Sequence, residues 1–255
     1  MIEDIDCIKD LCPGLKAPEG TIVFTMDVVG LYPSIPIQEG VDAVMEELEN
    51  HLEQIDTLGP SLNEVRNLLQ FVLSHNDFKF GHQVYHQIDR VSMGNNLAPL
   101  FAIIFMHTIE TRLLQTAEIK PLVYKRYIDA ILILWTYGRE RLVQFVQLLN
   151  SYHLRIKFTY ELSEVSDSVN SMDITIAVKE SGELAYKLFQ NPCSSGLLMD
   201  YASATPNIMK LPVASSQFLR VQRLSSGPQM RSESELTITK QLKLNHYPDI
   251  VINTS

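Results

Sequence analysis

The pattern of hydrophobic and polar residues predicts one strand and two amphipathic helices in the first third of the chain. Residues 21–26 (TIVFTM) favour a strand, which Asp27 closes before a loop that contains glycine and two prolines. The next helix has one apolar and one acidic face, and its apolar positions are Val41, Val44, Met45, Leu48, Leu52 and Ile55. A second helix is expected to begin at Ser61, where Glu64 completes a capping box. Its predicted core face is Leu62, Val65, Leu68, Leu69, Val72 and Leu73.

Further along, short strands and helices alternate. Residues 78–88 predict a hairpin around Gly81, and the loop Met93-Gly94-Asn95-Asn96 leads into an apolar helix over residues 98–115. Strands over residues 122–127 and 131–135 enclose a turn at Ile128-Asp129-Ala130. The remaining predictions are helices over residues 139–152, 207–223 and 233–243 and strands near residues 156–161, 173–178 and 184–189. Antiparallel strands without a regular βαβ repeat predict the α+β class.

Composition places the chain among ordinary globular proteins. Of its 255 residues, 45% are hydrophobic and 20% charged, which excludes a coiled coil, a collagen-like chain and a wholly disordered one. No apolar run reaches the length of a transmembrane helix, so no membrane association is expected. The acidic start does not resemble a secretory signal, and 3 cysteines are too few for a disulfide framework. We therefore expect a reducing intracellular compartment, nucleus or cytoplasm, without choosing between the two.

The net charge of −9 is unevenly distributed along the chain. Residues 1–60 hold 13 acidic and 2 basic side chains, a local charge of −11. Residues 201–232 contain no acidic residue and four basic ones, Lys210, Arg220, Arg223 and Arg231. The total charge therefore neither excludes nor indicates a polyanionic partner.

Two carboxylates and one glycine loop are the candidates for chemistry. Asp27 follows a strand, Asp129 lies in a strand–turn–strand, and Gly94 is in the loop between them in sequence. Phosphoryl transfer needs oxygen ligands from separate elements around two Mg²⁺ ions roughly 3.5–4 Å apart. Aspartate is also a common turn residue, because its side chain accepts hydrogen bonds from nearby backbone N–H groups. Spacing alone leaves an α+β domain with either a metal site or two ordinary turn residues.

Four strings in order distinguish these alternatives: DVVGLYPSIP, VSMGNNLAPLFAIIFMHTIE, YKRYIDAILILW and LNSYHLRIKFTYE. They resemble the successive palm motifs of reverse transcriptases, most closely those of Penelope-like and related non-viral retroelements. The resemblance runs from about Ile22 to the C-terminus, through VNSMDITIAV and LFQNP to SSQFLRVQRLSS. It implies a right-hand polymerase palm, an antiparallel sheet with packed helices, and a small helical thumb.

The resemblance also implies roles for individual residues in metal binding. Asp27 matches the first metal-binding carboxylate, the backbone of Val28 would help to hold a second ion, and Asp129 matches the first aspartate of the Tyr-X-Asp-Asp motif. The implied cofactor is Mg²⁺ or Mn²⁺. We therefore expect Asp27 and Asp129 to converge at the end of a small antiparallel sheet, with carboxyl groups less than about 10 Å apart.

Other matched residues would contact the nucleotide or the nucleic acid. Tyr32 matches an aromatic residue that excludes a ribose 2′-hydroxyl by steric contact, although a packed loop tyrosine is the alternative. Gln87, Met93 and Gly94 match a loop under the incoming nucleotide and template base. Lys157 resembles a residue that neutralises leaving pyrophosphate, or it is simply an exposed strand lysine. On the thumb side, Lys210, Arg220 and Arg223 are expected to bind phosphates, weakly and with strong salt dependence.

One position departs from the family motif. The second aspartate of Tyr-X-Asp-Asp is replaced by Ala130. Loss of a carboxylate from a two-metal cluster weakens charge compensation and ligand orientation, so catalysis is predicted to be impaired.

Domain boundaries also follow from the resemblance. Residues 1–20 are expected to be an acidic remnant with the fingers largely missing, residues 21–190 a palm, and residues 191–255 a thumb-like segment. The implied partners are an RNA template, a DNA primer and deoxynucleoside triphosphates. The alternatives are a catalytically inactive remnant that binds nucleic acid or protein, and, disfavoured by the four ordered motifs, an unrelated metal-dependent phosphohydrolase.

Overall fold

The computed structural model describes residues 15–54, 59–92, 94–162 and 168–254. The strands are β1 (Ile22–Val28), β2 (Asp77–Phe80), β3 (Gln83–His86), β4 (Val123–Tyr127), β5 (Ala130–Trp135), β6 (Phe158–Leu162), β7 (Ser168–Ser171), β8 (Ile174–Val178) and β9 (Leu184–Leu188). The helices are α1 (Leu31–Ser34), α2 (Ile37–Asn50), α3 (Leu62–Ser74), α4 (Ala98–Thr116), α5 (Gly138–Tyr152), α6 (Asn207–Arg223), α7 (Pro228–Leu244) and α8 (Asp249–Asn253). The predicted α+β class is confirmed.

Most predicted elements are present, with differences at their ends. Asp27 lies within β1 rather than after it, because the extended backbone continues to Val28. Helix α7 begins at Pro228 rather than near residue 233, since proline is well suited to the first position of a helix. Strand β7 and helix α8 were not predicted, because both are short and β7 is mostly polar.

Helix α3 begins as predicted but buries only part of the predicted face. The Ser61 backbone N–H donates to Glu64 Oε2 at 2.7 Å, and the Glu64 N–H donates to Ser61 Oγ at 3.4 Å. Ser61 Oγ also donates to Glu64 Oε2 at 2.7 Å, and this hydrogen bond, followed by that of the Ser61 backbone N–H, lowers the pKa of the Glu64 carboxyl below its usual value. Of the predicted core residues only Leu73 is buried, whereas Leu68 is 58% exposed. Leu62, Val65 and Leu69 are half-buried and Val72 is exposed. The predicted core face is therefore confirmed only in part, since periodicity identifies a face of a helix but not the element that covers it.

The described strands form three sheets. The largest has the order β4-β5-β1-β6, the second is the hairpin β2-β3, and the third is β7-β8-β9. Within them β4 and β5, β2 and β3, β7 and β8, and β8 and β9 all pair antiparallel. Hairpins therefore dominate the strand connections, as the sequence pattern predicts.

The chain divides into two compact units that are discontinuous in sequence. The first unit comprises the described residues of Met1–Thr25, Pro121–Gly138 and Tyr160–Ser255. One of its apolar clusters lies on the sheets and includes Val23, Leu132, Leu134, Ile174, Ile176 and Tyr186. A second cluster joins α6, α7 and α8 through Ala214, Val221, Ile238, Leu242 and Val251. This division does not follow the predicted boundary at residue 190, so the palm and thumb limits stay predictions.

The second unit comprises the described residues of Met26–Lys120 and Arg139–Thr159. Its longest helix, α4, buries Phe101, Ala102, Phe105, Met106 and Leu113. The acidic face of α2 is paired within this unit, because Glu39 contacts His153, Asp42 contacts Arg66, and Glu46 contacts Arg112. Arginines of the same unit therefore compensate two of the five acidic residues of this helix.

Across the described residues, none of the helices combines the length and the apolar character needed to traverse a bilayer.

Packing of α2 on α4 predicts that Gly40→Ala destabilises the second unit. A Cβ atom at Gly40 would lie 2.2 Å from Cζ of Phe101, whose side chain is 0% exposed. Alanine raises helix propensity by about 1 kcal/mol, but overpacking costs about 1–3 kcal/mol. Because the aromatic ring is enclosed, we expect the steric effect to dominate, with a net loss of about 1 kcal/mol or more in urea denaturation.

The matched control is Gly227→Ala, since a Cβ atom there meets nothing within 4 Å and its φ of −172° is accessible to alanine. Equal stability of Gly40→Ala and the wild type would contradict the close packing of these helices.

Candidate functional site

Asp129 lies in a strained two-residue turn of the first unit. Tyr127 pairs with Ala130 as the last pair of β4 and β5, so Ile128 and Asp129 form the turn. Ile128 has a φ of 51°, in the left-handed region that β-branched residues rarely occupy. Arg126 Nη1 donates to the Ile128 carbonyl oxygen at 3.0 Å and supports the turn. Such backbone strain is concentrated at functional sites, which makes this hairpin a candidate site.

Asp27 lies in the second unit, near the end of β1. Its neighbours Met26 and Val28 are each 2% exposed, whereas Asp27 is exposed because successive side chains alternate between the faces of a strand. The Val29 N–H donates to the Lys157 carbonyl oxygen at 2.8 Å, and Thr159 Oγ1 donates to the Asp27 carbonyl oxygen at 3.4 Å. The backbone around Asp27 is therefore held by residues 157–159.

The two carboxylates have the chemistry that Mg²⁺ requires, since both provide hard oxygen ligands. Strands β1 and β5 are neighbours in one sheet, but Asp27 and Asp129 belong to different compact units. Their convergence stays a prediction. Ala130 has a methyl group where the Tyr-X-Asp-Asp motif that this segment resembles has a carboxylate. Within the described ranges, no three or more His, Cys, Asp or Glu side chains form a group that could hold a metal ion.

The residues assigned to nucleotide binding lie in the second unit. Tyr32 is half-buried in α1, and its carbonyl oxygen accepts a hydrogen bond from the Val91 N–H at 3.4 Å. This contact joins the α1 region to the segment that leads to Gly94, which is exposed and has open space at its Cα. Met93 lies outside the described residues. The structure thus brings the Tyr32 backbone to the start of the predicted nucleotide loop.

The side-chain amide of Gln87 forms hydrogen bonds within that loop. Its Nε2 atom donates to the carbonyl oxygens of Asp89 at 3.2 Å and Arg90 at 3.1 Å. Arg155 forms an ion pair with Asp89 at 2.8 Å, and this hydrogen bond lowers the pKa of the Asp89 carboxyl. These contacts stabilise the loop conformation, and a contact of Gln87 with a nucleotide stays a prediction.

Lys157 interacts with the carboxyl end of α5. Its Nζ atom donates to the Asn150 carbonyl oxygen at 2.6 Å and to the His153 carbonyl oxygen at 3.0 Å. Carbonyl groups at a helix C-terminus lack partners within the helix and favour a nearby cation. The structure therefore gives Lys157 a capping role, and its role toward pyrophosphate stays a prediction.

The three cations assigned to nucleic acid have different surroundings in the first unit. Lys210 is 5% exposed, and its Nζ donates to the Tyr201 and Ser203 carbonyl oxygens at 2.7 and 2.6 Å. Arg220 pairs with Asp173 at 2.7 Å, whereas Arg223 is exposed and has no ion pair with any described residue. The buried, hydrogen-bonded ammonium gives Lys210 a structural role, which its basic sequence context did not reveal. Phosphate binding by these residues stays a prediction.

Asp173 is a polar residue that the sequence analysis did not assign to a site. Ser171 pairs with Ile174, so Met172 and Asp173 form another two-residue turn, and Met172 has a φ of 50°. The string Ser-Met-Asp-Ile therefore has the same X-Asp turn geometry as Tyr-Ile-Asp-Ala. The sequence analysis placed Asp173 at the start of a predicted strand and predicted no strand directly before it, so this hairpin turn was missed.

Comparison with known proteins identifies a fold and no family. No protein-family model matches the chain, and no curated protein matches it significantly. Among solved structures, the chain is similar to Candida albicans telomerase in complex with a TWJ fragment of telomeric RNA, with a TM-score of 0.54 and 11% identity over 98% of this chain and 42% of that one. Apo telomerase from Candida tropicalis matches with a TM-score of 0.54 and 13% identity over 97% of this chain and 53% of that one.

Apo telomerase from Candida tropicalis truncated from its C-terminal domain has a TM-score of 0.51 and 15% identity, over 72% of this chain and 38% of that one. The chain thus spans about half or less of the length of these structures. At these identities the likeness concerns the fold alone, a palm-like polymerase fold with antiparallel sheets and packed helices. The predicted fold class is confirmed, and the fold is reverse-transcriptase-like.

The capping contact predicts that Lys157→Met lowers the free energy of unfolding by about 0.5–1 kcal/mol. Two carbonyl groups at the end of α5 lose their charged donor, while the length of the side chain is retained. Chemical denaturation measures the change. Lys179→Met is the control, because the exposed Lys179–Glu183 contact of 3.8 Å is expected to contribute almost nothing. Equal effects of the two variants would contradict the capping role.

Proposed function

We propose that the chain is a reverse-transcriptase-like polymerase domain of a Penelope-like or related retroelement, with impaired catalysis. Its ancestral reaction is RNA-templated addition of deoxynucleotides to a primer 3′-hydroxyl. The observation that carries this proposal is the palm-like fold together with the four motifs in their family order. Fold likeness alone does not define an activity, so the residues of the motifs supply the functional argument.

The metal-binding residues in this proposal are Asp27 and Asp129, with the backbone of Val28 as a further ligand. Support comes from the exposure of Asp27 on β1 and from the strained turn that contains Asp129, next to the strand β5. When bound, Mg²⁺ or Mn²⁺ supplies positive charge that stabilises the attacking and leaving oxygens. The protein residues hold and orient that charge. The Ala130 side chain contributes no oxygen, and for this reason we propose that activity is low.

The partners in this proposal are an RNA template, a DNA primer and deoxynucleoside triphosphates. One of the similar telomerase structures contains an RNA fragment, which supports an RNA partner for a chain with the same fold. Tyr32 would select deoxyribose by steric contact, and its half-buried position in α1 restricts the motion of its ring. Arg223 is the exposed cation of α6 that remains available for a phosphate.

A second candidate is a catalytically inactive remnant that binds nucleic acid or protein. Ala130 favours it, because one carboxylate of the family motif is missing. Lys157 also favours it, since its ammonium group is engaged by the carbonyl groups at the end of α5. Both candidates share the same fold and differ in whether chemistry takes place.

Restoration of the missing carboxylate distinguishes the two candidates. We expect Ala130→Asp to raise primer extension by this chain roughly 10–100-fold. The added charge would increase metal occupancy and orient Asp129. Primer extension is measured with Mg²⁺ and with Mn²⁺. Because Ala130 is half-buried beside Ile131, which is 0% exposed, thermal melting must show that the variant is folded.

Ala130→Asn is the matched control, since it has nearly the same shape without the charge. Equal recovery in both variants would show that charge is not the missing property. A folded Ala130→Asp variant that binds primer–template and extends nothing would favour the remnant.

A further inference from the structure

A cavity of about 320 Å³ lies in the first unit, beside the turn that joins β7 to β8 and the helices α6 and α7. Binding pockets for small groups commonly begin at about this volume, so it has room for a group of nucleotide size. The turn contributes Met172 and Asp173, and the helices contribute Arg220, Thr237, Ile238 and Gln241. The segment that follows β9 contributes Gln190, Asn191 and Ser194.

An ion pair between two elements lines this cavity. Arg220 Nη2 on α6 lies 2.7 Å from Asp173 Oδ2 in the turn, and the side chains are 38% and 53% exposed. The left-handed φ of Met172 fixes the turn that presents Asp173. A partly exposed pair of this kind contributes about 0–1 kcal/mol, so an anion can replace Asp173 at low cost.

The polar lining of the cavity is rich in hydrogen-bond donors. Asn191, a lining residue, accepts at Oδ1 from the Cys193 N–H at 2.9 Å, and its amide N–H groups are further donors. Ser194 Oγ accepts from the Gly196 N–H at 3.3 Å, and its own hydroxyl proton remains to donate. Gln190 and Gln241 add further amide donors, whereas Asp173 is the only carboxylate among the lining residues.

We propose that this cavity is a phosphate-binding site for a nucleic-acid strand. Asp173 forms an ion pair with the guanidinium group of Arg220 until a phosphodiester of the strand replaces the Asp173 carboxylate. This inference rests on the proposed function, because it names the partner as nucleic acid. The Asp173 carboxylate pairs with the Arg220 guanidinium. A phosphodiester has enough oxygens to accept from Arg220 and from the amide and hydroxyl donors of the cavity at the same time. Asp173 is therefore an internal competitor that weakens nucleic-acid binding.

The test uses Asp173→Asn in the full chain, with fluorescence anisotropy of a labelled RNA–DNA hybrid oligonucleotide. The variant removes the competing charge and keeps the shape of the side chain. We expect binding to become about 2–5-fold tighter. The slope of log affinity against log salt should steepen by about 0.7–0.9, as for one added phosphate contact. Arg220→Gln should weaken binding, and Asp173→Asn should have no further effect in that background.

Glu233→Gln is the matched control. Glu233 pairs with Lys187 at 2.7 Å, with 42% and 43% exposure, so this variant also removes one negative charge and releases one cation in the same unit. A general electrostatic effect would make both variants bind equally tightly, and this result would overturn the inference. Persistence of the Asp173→Asn effect without Arg220 would overturn it as well. Thermal melting verifies that each variant is folded.

Competition identifies the source of the phosphate. Unlabelled hybrid should displace the labelled hybrid at a far lower total phosphate concentration than deoxynucleoside triphosphate or inorganic phosphate does. Equal potency of the three competitors would make free phosphate the ligand and overturn the assignment to a nucleic-acid strand. If Arg223→Gln weakens hybrid binding while the Asp173 and Arg220 variants do not alter it, the cavity assignment fails and the proposed function stands. If neither the wild type nor Asp173→Asn binds the hybrid, both fail.

Discussion

The backbone of the β4–β5 hairpin is the constraint on which the candidate site depends. Two-residue connections between antiparallel strands most often have a positive φ at the first central residue, and this chain places the β-branched Ile128 there at a φ of 51°. Left-handed backbone costs an L-amino acid about 1–2 kcal/mol, so the surrounding structure must hold it. Buried residues of β5, all at most 8% exposed, and the contact of Arg126 with the Ile128 carbonyl provide that support.

Several charged side chains form their ion pairs and hydrogen bonds within their own unit. Asp42 and Glu46 of α2 pair with arginines of the same unit, and Lys157 caps α5. In the first unit Lys210 is buried against two carbonyl groups, and Arg220 pairs with Asp173. The net charge of −9 is therefore a poor guide to partners, since the charges that remain exposed, such as Arg223, determine which polyanions can approach.

Sequence patterns predicted the secondary structure better than they predicted the burial and the contacts of individual side chains. The Ser61–Glu64 cap, the hairpin turn before Ala130 and the limits of α6 depend on neighbouring residues, and all were predictable. The exposure of Leu68 and the burial of Lys210 depend on contacts distant in sequence, which periodicity does not contain. Among the site residues, the sequence assigned Asp27 and Asp129 but overlooked Asp173, because a hairpin aspartate gains importance only from the arginine that faces it.

Binding of Mn²⁺, followed by electron paramagnetic resonance, tests most directly whether Asp27 and Asp129 form one metal site. The account predicts saturable binding by the wild type that is weakened roughly 10–100-fold or lost in both Asp27→Asn and Asp129→Asn. Asp249→Asn, at an exposed carboxylate paired with Lys243, should bind as the wild type does. Saturable binding that survives either substitution at Asp27 or Asp129 in a folded protein would contradict the assignment of these two residues to a shared site.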